Sequence, residues 1–433
     1  MAIGRGLLVA APRSGAGKTV VTIGLQRAFS RTGLAVAGAK CGPDYIDPAF
    51  HAAATGRPSV NLDGFVMEPP LVRALASAAA ENADLVIAEG AMGLFDGARA
   101  GTRSGACADL AAALGWPVLL VIDADAAAQS IAAVAHGCAC FPGAPPIAGV
   151  IVNRLASARH AALVEQGFAR IAVSLLGMIA KDDRLALPSR HLGLVQAGET
   201  AALETVLDGI ADAVEAQCDL AAIRDAARHG RPAPFPPPRL RPPGQRIAIA
   251  RDEAFAFLYP HLMQAWRRAG AELRFFSPLA DEPPPAGCDA CWLPGGYPEL
   301  HAGRLAASRR FLAGLRAFAD RHAVHGECGG YMVLGRTIAD GEGRVHPMAG
   351  LLPVDTSFAR RRLSLGYRRA VLRADRSFAA AGETLWGHEF HYATITAAGG
   401  APLADLDDGA GTPLGPAGHC AGHVSGSFFH LIA

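Results

Sequence analysis

A run of prolines is what most constrains how this chain can fold. Residues 231–244, RPAPFPPPRLRPPG, place seven prolines in fourteen positions. Proline fixes φ and lacks an N–H, so this run can enter neither a helix interior nor a central strand and extends as a semi-rigid spacer. Two bodies are therefore expected, at 1–230 and 245–433, joined by the linker 231–244. In a chain of 433 residues each has the length to enclose a full core.

In the first body, short apolar runs at 7–11, 35–40, 84–89, 118–123, 147–153 and 176–180 read as strands. Several show no polar alternation, the pattern of strands covered by helices on both faces. Ala/Leu-rich segments between them supply crossovers, so a doubly wound, mostly parallel α/β sheet is expected. The second body repeats the pattern, with strands at 246–250, 290–293 and 323–325 and a helix over 304–321. From about 348 to 396 it turns more β-like and irregular.

Charged residues make up 18% of the chain and the net charge is +1, with no Lys/Arg block that would suit nucleic acid. No segment reaches the roughly 18 uninterrupted apolar residues of a spanning helix. The N-terminal apolar run leads straight into a glycine-rich loop and leaves no room for a signal peptide, so a cytoplasmic enzyme is expected. Nine cysteines, an odd number, argue against a disulfide framework. Cys138-x-Cys140 and Cys288-x-x-Cys291 lack a second ligand pair at zinc spacing and are read as structural.

That loop is Pro12-Arg13-Ser14-Gly15-Ala16-Gly17-Lys18-Thr19. It varies the phosphate-binding pattern G-x-x-x-x-G-K-[ST], with Pro12 at the first glycine position. The chemistry is kept: N–H groups from Gly15 to Lys18 at a helix start can face phosphate, Lys18 neutralises it, and Thr19 can bind Mg²⁺. A second strand ends in Lys40-Cys41-Gly42-Pro43-Asp44-Tyr45-Ile46-Asp47, and a third in Glu89-Gly90-Ala91-Met92-Gly93-Leu94-Phe95-Asp96. Ligands of open parallel sheets bind at the carboxyl ends of strands, which puts Lys40, Asp44 and Asp47 at the same crevice. Mg²⁺ takes one or two carboxylates plus phosphate and water, so Thr19, Asp44 and Glu89 are the expected metal set. Asp44 and Asp96 also suit turns or helix caps. Asn153, ending a later strand, is a candidate reader of the adenine edge.

In the second body, Gly326-Glu327-Cys328-Gly329-Gly330 sets a thiol between glycines at a strand-to-helix turn, the arrangement of a nucleophile elbow. A cysteine nucleophile needs a base and oxyanion donors. Gly295 and Gly296, after a strand, are the expected oxyanion hole. His388, His391, His419, His423 and His430 are the candidate bases.

Taken together, APRSGAGKT, KCGPDYIDPAFH, AEGAMGLFDG, LPSRHLGLV, LPGGYPEL, HGECGGYMVLG and GHEFHYAT resemble the cobyrinic/hydrogenobyrinic acid a,c-diamide synthases of corrin biosynthesis. The resemblance runs essentially end to end. It implies a dethiobiotin-synthetase-like, P-loop NTPase-like ATP domain followed by a class I glutamine amidotransferase domain. Cys328 would then be the glutaminase nucleophile and His430 its base. Lys18 and Thr19 match the ATP loop, and Asp44, Tyr45, Asp47, Glu89 and Asp96 match positions near ATP, metal or the reacting carboxylate. The implied reaction converts the a and c carboxylates to amides through an acyl phosphate, consuming ATP with Mg²⁺ and ammonia from L-glutamine. A corrinoid acid is the implied substrate, cobalt-containing or cobalt-free; neither nucleic acid nor a membrane is an expected partner, and a homodimer is an open assembly. The usual Glu two residues after the histidine is replaced by Ile432, which implies a Cys–His dyad. The related cobyric acid synthases, which amidate the remaining carboxylates, are the alternative. A partitioning ATPase would carry a signature lysine where this loop has Arg13, and would leave Cys328 without a purpose.

Overall fold

The computed structural model describes residues 5–98, 104–187, 189–190, 193–194, 202–231, 233–234, 236 and 240–433, with only the backbone at 189–190 and 193–194. Pro188, His191, Leu192 and Val195 of the LPSRHLGLV motif and several linker prolines lie outside them. Contacts divide the chain into Met1–Pro236 and Pro237–Ala433, a boundary inside the proline run.

The first unit is built on seven strands: β1 (Arg5–Ala10), β2 (Val36–Cys41), β3 (Val60–Leu62), β4 (Leu85–Glu89), β5 (Val118–Asp123), β6 (Ile147–Leu155) and β7 (Leu175–Ala180). They run parallel in the order β3-β2-β4-β1-β5-β6-β7, and Arg228–His229 adds antiparallel to the start of β1. Leu7, Val9, Ile87, Leu119, Val121 and Ile151 face Val21, Leu25 and Ala28 of helix α1 (Lys18–Arg31) in one core. Each such side chain stabilises the fold by about 1.5–3 kcal/mol through apolar burial. Register fixes what meets at the carboxyl edge: Glu89 pairs with Val9 on one side and Lys40 on the other. The chain order reverses around β1, so the phosphate loop opens at the topological switch point.

The second unit has a parallel core: Glu272–Phe276, Arg246–Ala250, Ala290–Leu293, Ala323–Glu327 and Val424–Ser427, with His419–Ala421 antiparallel at the edge. The β-like region expected over 348–396 contributes to two further sheets. A four-stranded one contains Val345–Pro347, Thr337–Ala339, Val354–Ser357 and Thr394–Ala398; a five-stranded antiparallel one contains Pro413–Ala417, Ala404–Asp408, Ser364–Leu372, Thr384–His391 and His430–Leu431. The helix expected over 304–321 is two helices, Ala302–Ala307 and Arg309–Ala319. They break at Ser308, whose ψ of 75° is not helical and whose hydroxyl donates back to the Arg304 carbonyl. Between Val424–Ser427 and His430–Leu431 the backbone leaves the parallel sheet for the antiparallel one, and that step carries His430 to the elbow.

Candidate active sites

In the first unit the phosphate loop turns through Gly17, which caps α1 at φ 87°, a left-handed conformation that favours glycine. A Cβ there would lie 2.2 Å from Asn153 Nδ2. Asn153, buried at the end of β6, donates that amide to the Ala16 carbonyl at 3.1 Å. The structure thus places Asn153 beneath the loop, bracing it. Lys18 donates to the carbonyls of Met92 (2.6 Å) and Arg13 (3.4 Å). Burial, and then the charge of Lys40, lower its pKa.

Glu89 is the hub of this site. Its Oε1 accepts from the Thr19 hydroxyl at 2.6 Å and from Lys40 Nζ at 2.9 Å, while its Oε2 lies 2.8 Å from His51 Nε2. Lys40 also pairs with Asp47. Burial disfavours the charge on Glu89, yet Lys40 and His51 together hold it well below the usual carboxylate range. Burial opposes the charge on Lys40 too, and Asp47 and Glu89 outweigh it, raising that pKa well above the ordinary value. Asp47 is pushed up by burial first and by Glu89 second.

Of the residues expected here, Thr19, Lys40, Asp47 and Glu89 are brought together. Asp44 Oδ1 instead accepts the N–H groups of Ile46 and Asp47, closing the turn into helix α2 (Asp47–Thr55). Tyr45 lies half-buried in that turn. Asp96 Oδ2 accepts the Gly93 N–H at 2.9 Å and closes the loop after β4. Sequence reading missed His51. Its signal was spacing: four residues after Asp47, it shares that residue's face of α2.

In the second unit Cys328 occupies the elbow between Ala323–Glu327 and the helix Gly329–Leu334, with φ 45° and ψ −102°. Its N–H donates to the Ser427 carbonyl at 2.8 Å, tying the elbow to the neighbouring strand. Gly295 sits between the thiol and the histidine: a Cβ there would lie 3.2 Å from Cys328 Cβ, 3.0 Å from His430 Nε2 and 2.2 Å from His430 Cε1. Only glycine lets the three approach. The Gly296 nitrogen lies 3.0 Å from where Gly329 would carry a Cβ, so the glycine pair borders the elbow. Burial raises the Cys328 thiol far above its ordinary value, with Glu299 adding to the effect. Burial also lowers the His430 pKa to about 3, helped by His388 and His391. The resting pair is therefore neutral, SH beside imidazole.

Three of the other expected bases have places of their own. His419 is joined to Tyr331, and His391 stacks on Phe428 at 3.9 Å between ring centroids. His388 sits opposite His430 in the antiparallel sheet. The side chain that sequence reading passed over is Glu327. Its Oε2 lies 3.9 Å from His430 Nδ1, although the chain lacks the acidic residue expected at Ile432. Its signal was a carboxylate in a short, otherwise uncharged strand. Cys288 and Cys291 are buried in the core of this unit, and all nine cysteines are free.

Comparison with known proteins agrees with both halves. Residues 7–195 match the CobQ/CobB/MinD/ParA nucleotide binding domain, and residues 246–433 match the CobB/CobQ-like glutamine amidotransferase domain. The chain is 56% identical over 431 residues to the hydrogenobyrinate a,c-diamide synthase of Rhodobacter capsulatus, covering 99% of each. It is 54% identical to the protein of that name from Mesorhizobium japonicum (99% of this chain, 98% of the relative) and 51% identical to that from Agrobacterium fabrum (99% of each). A likeness of this extent, across a phosphate loop and a thiol elbow in one polypeptide, makes the chain a member of the hydrogenobyrinate a,c-diamide synthase family.

Proposed function

We propose that this chain converts the a and c side-chain carboxylates of hydrogenobyrinate to amides, driven by ATP and supplied with ammonia by its own hydrolysis of glutamine. The observation that carries the reading is the pinch at Gly295, which holds a strained thiol and a buried imidazole together in a chain that also has a phosphate loop. The cobalt-free ring is preferred as substrate because relatives of 50–56% identity carry its name.

In the second unit, Cys328 Sγ attacks the side-chain carbonyl of glutamine and its proton passes to His430. The backbone N–H groups of Gly295 and Gly296 face the developing oxyanion. His430 returns the proton to the departing ammonia, and water then cleaves the thioester to release glutamate. In the first unit, the loop from Gly15 to Thr19 holds the ATP phosphates, with Lys18 exchanging its carbonyl partners for phosphate oxygens. A corrinoid carboxylate attacks the terminal phosphorus, ADP leaves, and ammonia displaces phosphate from the acyl phosphate. Tyr45, Asp44 and Asp96 border the space where that carboxylate would lie, and Lys40 and Asp47 set its charge.

Oxygen donors from Thr19 and Glu89, beside a loop built for phosphate, suit Mg²⁺. Thr19 and Glu89 would hold the ion, which would neutralise phosphate charge as phosphoryl transfer proceeds.

Incubating the full chain with hydrogenobyrinate or cobyrinate and counting added amides by mass spectrometry tests the reading. Two amides on the cobalt-free ring are expected; amidation of the remaining carboxylates would indicate the cobyric acid synthase reaction. Cys328→Ala is expected to abolish glutamine-dependent turnover while ammonium salts still support it. Loss of both would refute the division of labour.

A further inference from the structure

The glutaminase centre holds one carboxyl group that neither the nucleophile nor the base accounts for. Glu327 immediately precedes Cys328, and its side chain is 2% exposed, almost as buried as that of His430 at 1%. The two carboxyl oxygens face different tasks. Oε1 accepts the Leu431 N–H at 2.8 Å, which anchors the carboxyl to the residue after the histidine. Oε2 faces the ring itself, 3.9 Å from Nδ1. The same histidine presents Nε2 toward the point that Gly295 shares with the Cys328 side chain. One edge of the ring thus addresses the thiol, and the other addresses a carboxyl on the thiol's own strand.

We infer that Glu327 is the positioning residue of the glutaminase: it holds the Nδ1 edge of His430 and stabilises the imidazolium, the task left open by Ile432. The assignment rests on the reading of Cys328 and His430 as the glutamine-hydrolysing pair. The other titratable groups around the ring come from separate elements. His388 and His391 lie on Thr384–His391, while Glu299 and Glu389 act on the thiol, as does Glu327 more weakly. Both histidines oppose a charged ring, and the glutamates oppose a thiolate. Among the described carboxylates, Glu327 combines a position against Nδ1 with an anchor that keeps it there, and the Phe257 backbone also hydrogen-bonds the ring.

The proton bookkeeping closes within these groups. In the attack the Cys328 S–H bond breaks, an N–H bond forms at His430 Nε2, and the Nδ1 edge of the imidazolium faces Glu327 Oε2 across 3.9 Å. The new proton leaves on ammonia, and nothing is oxidised or reduced. Burial lifts the Glu327 pKa to about 8, so at neutral pH the resting carboxyl is largely protonated. Its support for the imidazolium grows as that proton is lost, and glutaminase turnover should climb toward alkaline pH through this titration.

Glu327→Gln separates this role from a structural one. Glutamine is isosteric and still accepts the Leu431 N–H, but it cannot carry the charge. Glutaminase activity of the full chain should fall by about 10–100-fold in kcat with little change in KM, less than when a directly hydrogen-bonded Asp is lost from a protease triad. The alkaline climb should disappear. Glu327→Asp, a poorer fit but a carboxylate, should outperform Glu327→Gln. A Gln variant at least as active as the Asp variant, with the wild-type pH profile, overturns the inference. If circular dichroism shows that Glu327→Gln has not folded, the Asp variant decides: a displaced alkaline limb supports the assignment and an unmoved one overturns it. Cys328→Ala is the control for the underlying reading. Should it retain glutaminase activity, the nucleophile assignment fails, whatever Glu327 does.

Discussion

Gly295, beside the thiol elbow, has little freedom to change. In Gly295→Ala the new methyl would fall 2.2 Å from His430 Cε1, so the imidazole must move. A displacement on that scale at a reacting pair costs about 10²-fold, and the expected loss is in glutamine-dependent turnover with ammonia-dependent turnover kept. Lys40 is the comparable point in the first unit. Lys40→Met would leave Glu89 and Asp47 buried without their shared cation, and breaking such a pair destabilises by about 3–5 kcal/mol. Thermal melting of the full chain should show a lower transition for this variant, and Asp47→Asn should be milder because Glu89 keeps its partner. At this scale the sequence suggests a chemistry where residue type alone names one, as at Cys328, Lys18 and Thr19. It is opaque where long-range register decides: Glu89 meets Lys40 across paired strands, and Glu327 meets His430 about a hundred positions later in the chain.

Among elements, the second unit carries an unusual load of buried neutral histidines. Burial lowers His261, His388 and His391 to about 4 and His325 and His430 to about 3. Below about pH 6.5 the unfolded chain binds protons at these positions that the folded unit refuses. Stability is therefore lost as pH falls toward about 4, with a slope of up to ~1.4 kcal/mol per pH unit for each histidine. Glu327 has the opposite sign, since its raised pKa favours the fold less as pH climbs from the ordinary carboxylate range to about 8. Urea midpoints measured across this range should fall on the acid side; a flat profile would contradict the burial of neutral rings. Strands covered on both faces, such as Val118–Asp123 and Ala290–Leu293, were legible to the residue because their apolar runs have sharp ends. Val60–Leu62 is too short to carry a pattern, and Glu272–Phe276 leaves the first residue and the fourth exposed, so neither stood out.

For the whole molecule, the division into two units separates two ways of obtaining ammonia. Added ammonium must lose a proton before it can attack, so the ammonium-supported rate should rise steeply above neutral pH. Ammonia released from glutamine starts unprotonated, and the glutamine-supported rate should rise less, within the climb expected from Glu327. Running both assays on one preparation checks this. The backbone at Cys328 has a further consequence. At φ 45° and ψ −102° any side chain is strained, by about 1–3 kcal/mol, and glycine is not. Cys328→Gly should therefore be more stable than Cys328→Ala by about 1 kcal/mol, reversing the usual ranking of the two residues. A search for the most stable sequence would write glycine at 328 and remove the proposed nucleophile. On the proposed role of Cys328, the cysteine stands against the preference of the fold, as a residue kept for its chemistry would.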